Sequence, residues 1–152
     1  MTTPRLAADI ARDEGCRLNA YQDTNGIWTI GYGHAHVAPG TVWTQAQAED
    51  QLSRDIDHAV ALLDSHIPWW RSLDDARQDV LANMAFNLGW LSPDGRHGLG
   101  AFHATLALVR SGDYAGAADH MLQLPWARQV GARAARLSAQ MRDGRRAAVF
   151  PP

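Results

Sequence analysis

Three side chains in the first thirty residues have the types and spacing for acid–base chemistry. Glu14 is followed nine positions on by Asp23, and six further on by Thr29. Cleavage of a glycosidic bond uses two carboxyl groups. One donates a proton to the leaving oxygen, and the other stabilises the cationic sugar or activates water. Taken singly, each residue is ordinary: a helix-end carboxylate, a turn aspartate and a strand threonine. The spacing of all three singles them out.

The elements that must position them are legible locally. Thr3-Pro4 reads as an N-cap followed by proline at the first helical position. Leu6 and Ile10 supply an apolar stripe, and the helix should stop near Gly15. On a helical wheel Glu14 lies about 40° from Ile10, at the shoulder of that stripe. A carboxyl group there suits a proton donor. Asn25-Gly26 is a hairpin turn signal, and Ile27 to Tyr32 is rich in β-formers. The length of the turn decides the aim of Asp23. A two-residue loop pairs Gln22 with Thr29 and turns Asp23 to the opposite face. A three-residue loop pairs Tyr21 with Thr29 and puts Asp23 and Thr29 on one face. The chemistry needs the longer loop.

Thr44 with Gln47 forms a capping-box pattern. It opens a helical run with apolar positions at Ala48, Leu52, Ile56, Ala59, Val60 and Leu63, closed by Pro68. A second run from Ser72 and Asp75 carries Ala76, Val80, Leu81, Met84 and Leu88 and ends at Gly89. Ser92 to Gly100 reads as a loop. Helices are expected near 101–111, 114–123 and 126–142. The expected class is α+β, mostly helical: a small N-terminal lobe with a β-hairpin (1–43), a long bridging helix (44–66) and an all-helical C-terminal lobe (67–152), together one domain.

Glu14-Gly15, Tyr21-Gln-Asp-Thr-Asn-Gly26 and Trp28-Thr-Ile-Gly-Tyr-Gly-His34 resemble the bacteriophage lysozymes of glycoside hydrolase family 24, gaps included. Met84-Ala-Phe-Asn-Leu-Gly89, Gly100-Ala-Phe-His-Ala-Thr105 and the stretch Trp126 to Arg136 are similar to later segments of that family. The resemblance therefore covers nearly the whole chain. It implies a lysozyme-like fold with the active cleft between the lobes. It also implies an endolysin that hydrolyses the β-1,4 bond between N-acetylmuramic acid and N-acetylglucosamine in peptidoglycan. Glu14 would be the general acid, with Asp23 and Thr29 placing or stabilising the attacking water. Phe86, Thr105 and His120 would line the saccharide cleft, with Ala35 after His34. Ala35 and His120 differ from the commonest residues of the family. A carboxyl separation of about 6.5–9.5 Å, with room for a water, is expected rather than about 5 Å.

Other residues carry competing readings. Gly31 and Gly33 either let a glycan approach the backbone or relieve crowding in a twisted strand. His34 and His36 lack a third ligand at metal-site spacing, so hydrogen bonding within the lobe is expected, with no metal and no cofactor. Most of the six tryptophans, which include Trp69, Trp70 and Trp90, should be core residues, with sugar stacking open to one or two of the six. Cys16, the single cysteine, is expected to be small and buried, and permits no internal disulfide.

Composition narrows the partners. With 46% apolar residues in 152, a real core can form. Net charge is −2, and all 14 basic residues are arginine. From Trp126 onward six arginines (128, 133, 136, 142, 145, 146) face one acid, Asp143, so this segment is +5 and the remainder −7. It reads as a solvated helical face or as an attraction to an anionic envelope polymer. A chain that is not basic as a whole argues against nucleic acid. No signal peptide and no membrane-spanning run is legible. The expectation is a monomer made in the host cytoplasm, without a membrane anchor; the family resemblance implies that it reaches the wall through a holin lesion. Rival readings are a lytic transglycosylase, a non-catalytic wall-binding or tail-structural module, and an antibacterial effector with the same chemistry.

Overall fold

The computed structural model describes residues 3–146. Contacts divide the chain into two units, one up to Ala61 and one from Leu62 onward.

The first unit begins with α1 (Pro4–Glu14). Thr3 Oγ1 accepts the Leu6 N–H at 3.1 Å, and Leu6 and Ile10 are buried. Gly15, at φ 65°, ends the helix, its N–H bonded to the Ala11 carbonyl. A three-stranded antiparallel sheet follows, in the order β1 (Arg17–Gln22), β2 (Trp28–Gly31) and β3 (His34–Ala35). β3 extends the expected hairpin by one short strand. On the other edge of β1, Asn19 bridges to Val42, flanked by bonds from Ala20 N–H to Thr41 and from Trp43 N–H to Leu18.

Next is α2 (Gln45–His66), 22 residues and therefore about 33 Å long. The capping box forms in both directions: the Thr44 N–H donates to Gln47 Oε1, and the Gln47 N–H donates to Thr44 Oγ1. All six apolar positions read from its sequence are buried. The boundary between the two units falls within α2, after Ala61.

The second unit is helical. A 3₁₀ turn (Pro68–Ser72) precedes α3 (Asp75–Leu88), whose N-cap is Asp74 rather than Ser72. A second 3₁₀ turn (Leu99–Ala101) leads to α4 (His103–Ser111), α5 (Tyr114–Gln123), α6 (Pro125–Val130) and α7 (Ala132–Asp143). The single helix expected over 126–142 is two helices. Gly131, at φ 54° and ψ −116°, interrupts it, a geometry that an L side chain adopts only under strain. α7 packs on α3 and α5. It is tied down by bonds from Ser138 Oγ to the Ala118 carbonyl and from Gln140 Nε2 to the Ala76 carbonyl.

Two of the six tryptophans are core residues, and Trp28, Trp43, Trp69 and Trp90 are only half-buried, fewer in the core than expected. Trp70 and Trp126 are buried, with their ring N–H groups donated to Asp64 and Asn87. Trp90 stacks on His66, with ring centroids 4.5 Å apart. The segment at Gly98 and Gly100 lies against Trp90, where neither position has room for a side chain.

Candidate active site

The turn of the hairpin has the longer of the two lengths considered. Tyr21 pairs with Thr29 and Gln22 with Trp28, and the Asp23 N–H bonds the Ile27 carbonyl. Thr24, Asn25 and Gly26 remain as the loop, with Gly26 at φ 78° where a left-handed residue closes it. By strand alternation Asp23, Thr29, Tyr21 and Ala35 share one face, and Ile30 and His34 share the other.

The Asp23 carboxylate is held by its own turn. Oδ1 accepts the N–H groups of Asn25 at 2.8 Å and Ile27 at 2.9 Å. Both bonds fall on one oxygen, so the other is left to accept from a bound molecule. Thr29 is 4% exposed. Its hydroxyl donates to the Ile27 carbonyl at 3.0 Å, so toward any third group its oxygen acts as acceptor. Ile27 thus serves both residues, receiving the Thr29 proton at its carbonyl and giving its N–H to Asp23.

Glu14 is half-buried in the last turn of α1. Its carboxyl lies against Gly33, in the turn between β2 and β3. Both neighbours of Gly33 are anchored to α2. Gln45 Nε2 donates to the Tyr32 hydroxyl at 2.9 Å, and His34 Nδ1 lies 2.8 Å from Asp55 Oδ2. Gln51 in turn donates to Asp55 Oδ1. Burial, more than any neighbouring charge, raises the Tyr32 phenol above its ordinary pKa. His34 thus has a structural partner within its own unit, and its ring is tilted toward Trp43 at 5.7 Å. Asp55 and Gln51 carry no motif, and their part becomes visible only once α2 is set beside β3.

Cys16 is exposed, contrary to the expectation of a buried thiol. It lies just past the α1 terminus, with Sγ 3.8 Å from Gln45 Oε1. Gly15 ends the apolar stripe before position 16 and turns the chain outward. Among the described residues no cluster of histidine, cysteine, aspartate or glutamate is placed to hold a metal, and no helix is long and apolar enough to cross a membrane.

In the second unit Thr105 and His120 meet. Thr105 is buried at the start of α4, and its Oγ1 lies 2.6 Å from His120 Nδ1 in the last turn of α5. Phe86, in α3, is half-buried. The arginine-rich segment is not simply a solvated face. Arg133 is buried and donates to Asn83 at 2.9 Å, Arg142 pairs with Asp119, and Arg146 pairs with Asp79.

A mostly helical α+β chain with a hairpin-borne aspartate and threonine and a helix-end glutamate defines a lysozyme-like class. Comparison with known proteins agrees. The phage lysozyme family model matches residues 11–148. An endolysin of Acyrthosiphon pisum secondary endosymbiont phage 1 is 37% identical over 127 residues, spanning 82% of this chain and 80% of that protein. The endolysin of Lactococcus phage c2 is 40% identical over 79 residues, half of this chain and 34% of that protein. The pre-baseplate central spike protein Gp5 of Enterobacteria phage T4 is 28% identical over 160 residues, 88% of this chain and 27% of that protein. The chain belongs to the phage lysozyme family, and membership makes it a peptidoglycan-lytic protein of the endolysin kind.

Proposed function

We propose that this chain is a muramidase: it hydrolyses the β-1,4 bond between N-acetylmuramic acid and N-acetylglucosamine, with Glu14 as general acid. The observation that carries this reading is the register of the hairpin, which sets Asp23 and Thr29 on one face. A water between them donates one hydrogen to the Asp23 carboxylate and one to Thr29 Oγ1. Its lone pair attacks the anomeric carbon while the Asp23 carboxylate takes up one of its protons. Glu14 protonates the departing oxygen, so the bond to the leaving sugar breaks as the bond to water forms. Phe86, Thr105 and His120 in the second unit, with Ala35 and His34 in the first, are proposed to bind the glycan. The protein is proposed to act as a monomer on the wall after holin-dependent release.

The test uses purified peptidoglycan. The wild-type chain should clear its turbidity and leave reducing N-acetylmuramic acid ends in the mass spectrum. Glu14→Gln should fold normally and lose about 10³-fold in rate, the scale of a general acid. Anhydromuramic ends would identify a transglycosylase instead. Unchanged clearing by Glu14→Gln would remove Glu14 from the chemistry, and absence of clearing by the wild type would point to a structural module.

A further inference from the structure

We infer that Gly33 is the positioning residue for Glu14, its bare Cα forming the wall against which the acid's carboxyl group is set. The inference rests on the role proposed for Glu14. A methyl group added at Gly33 would fall 2.6 Å from Glu14 Oε2 and 3.2 Å from its Cδ. Such a separation is not tolerated, so either the turn or the carboxyl must move. The turn is clamped on both sides. Tyr32 is bonded to Gln45, and His34 to Asp55, which Gln51 holds in turn. All three partners lie on α2, whereas the Glu14 carboxyl is the far end of a rotatable side chain. The carboxyl is therefore what yields, and it yields at the atoms that carry the proton.

Gly31 is the foil. It has a similar φ, 64° against 74°, and lies two residues away. A methyl group there would meet the Trp43 ring at 3.0 Å and Ala48 Cβ at 3.5 Å. One glycine of the Gly-Tyr-Gly run thus makes room for core packing, and the other makes room for the acid. Both demands come from side chains of the protein itself.

A matched control separates the carboxyl effect from backbone strain. Gly40 has φ 82° and nothing within 4 Å of an added methyl. Gly40→Ala therefore carries the left-handed strain alone. Gly33→Ala should melt close to Gly40→Ala yet lose on the order of 10²-fold in kcat on peptidoglycan, the scale of a displacement of about 1 Å in a reacting group. The alkaline limb of its pH–rate profile should move, while Gly40→Ala keeps the wild-type rate and profile. In a Glu14→Asp background, where the carboxyl is drawn back by one methylene, Gly33→Ala should cost less than tenfold. Gly33→Ala within threefold of Gly40→Ala in kcat would overturn the inference while leaving the role of Glu14 intact. Loss of that role would show separately, as an active Glu14→Gln. If Gly33→Ala does not fold, the double variant decides: a folded, weakly active Glu14→Asp/Gly33→Ala supports the carboxyl contact, and an unfolded one assigns Gly33 to the backbone alone.

Discussion

The hairpin and the arginine-rich C-terminal segment both concentrate polar side chains, and they hold them in opposite ways. In the hairpin every anchoring partner is local. Asp23 accepts from Asn25 and Ile27, and Thr29 donates to Ile27. In the C-terminal segment the partners are distant in sequence. Arg133 reaches Asn83, Arg142 reaches Asp119, and Arg146 reaches Asp79. Local backbone bonds fix one oxygen of a carboxylate and leave the other for a ligand. Long-range side-chain bonds tie one helix to another. Polar groups of the first kind can do chemistry, whereas those of the second kind mainly maintain the fold. The +5 charge of the segment therefore overstates what it presents to an anionic polymer.

Substitutions can break this contrast. Within this contrast the largest effect is expected at Asp23. Asp23→Asn keeps an oxygen for the two backbone N–H groups but removes the charge. Its melting temperature should stay within about 2 °C of wild type, since each kcal/mol shifts a chain of this size by roughly 2–4 °C. Its lytic rate should fall on the order of 10²-fold. Asp23→Ala should lose the rate and about 1–2 kcal/mol of stability as well, read by thermal denaturation. If Asp23→Asn unfolds the protein, the division of labour between the two oxygens is wrong.

Arg133→Ala should show the reverse pattern. Losing a buried charged donor to Asn83, together with its packed stem, should cost about 2–3 kcal/mol with little change in rate per folded molecule. The exposed Arg128→Ala should stay within about 0.5 kcal/mol in stability. A loss of wall binding in Arg133→Ala without a loss of stability would return this arginine to the ligand-binding class.

The smallest effect concerns Asp64, whose pKa is lowered chiefly by the Arg71 hydrogen bond and further by the Trp70 N–H. A carboxylate depressed in the folded state adds stability above its unfolded pKa, about 3.9, and loses it as pH falls through the folded value. The Asp64 and Arg71 side chains are 45% and 44% exposed, so screening holds the contribution under about 1 kcal/mol. Denaturant titrations of wild type and Asp64→Asn should differ slightly at pH 7 and converge as pH falls below the lowered pKa of the folded state.

What the sequence made legible follows the same division. α1, the hairpin and α2 are set by caps, turn residues and apolar spacing that act within a few positions, and they form as read. The turn length stayed open because Asn-Gly serves either loop, and the choice depends on strand register. β3 was missed because two residues carry no alternation pattern. The break at Gly131 was missed because a lone glycine is tolerated within a helix, and packing of α7 on α3 and α5 decides it. The anchoring of His34 by Asp55, 21 residues away, and the meeting of Thr105 with His120 are tertiary facts without a local signal.

The exposed position of Cys16 has a practical consequence. It is the single thiol of the chain, two residues beyond Glu14, and open to solvent. A maleimide fluorophore or nitroxide spin label would attach there alone, with no cysteine to remove first. Glycan arrival beside the proposed acid could then be followed by spectroscopy in an unmutated protein.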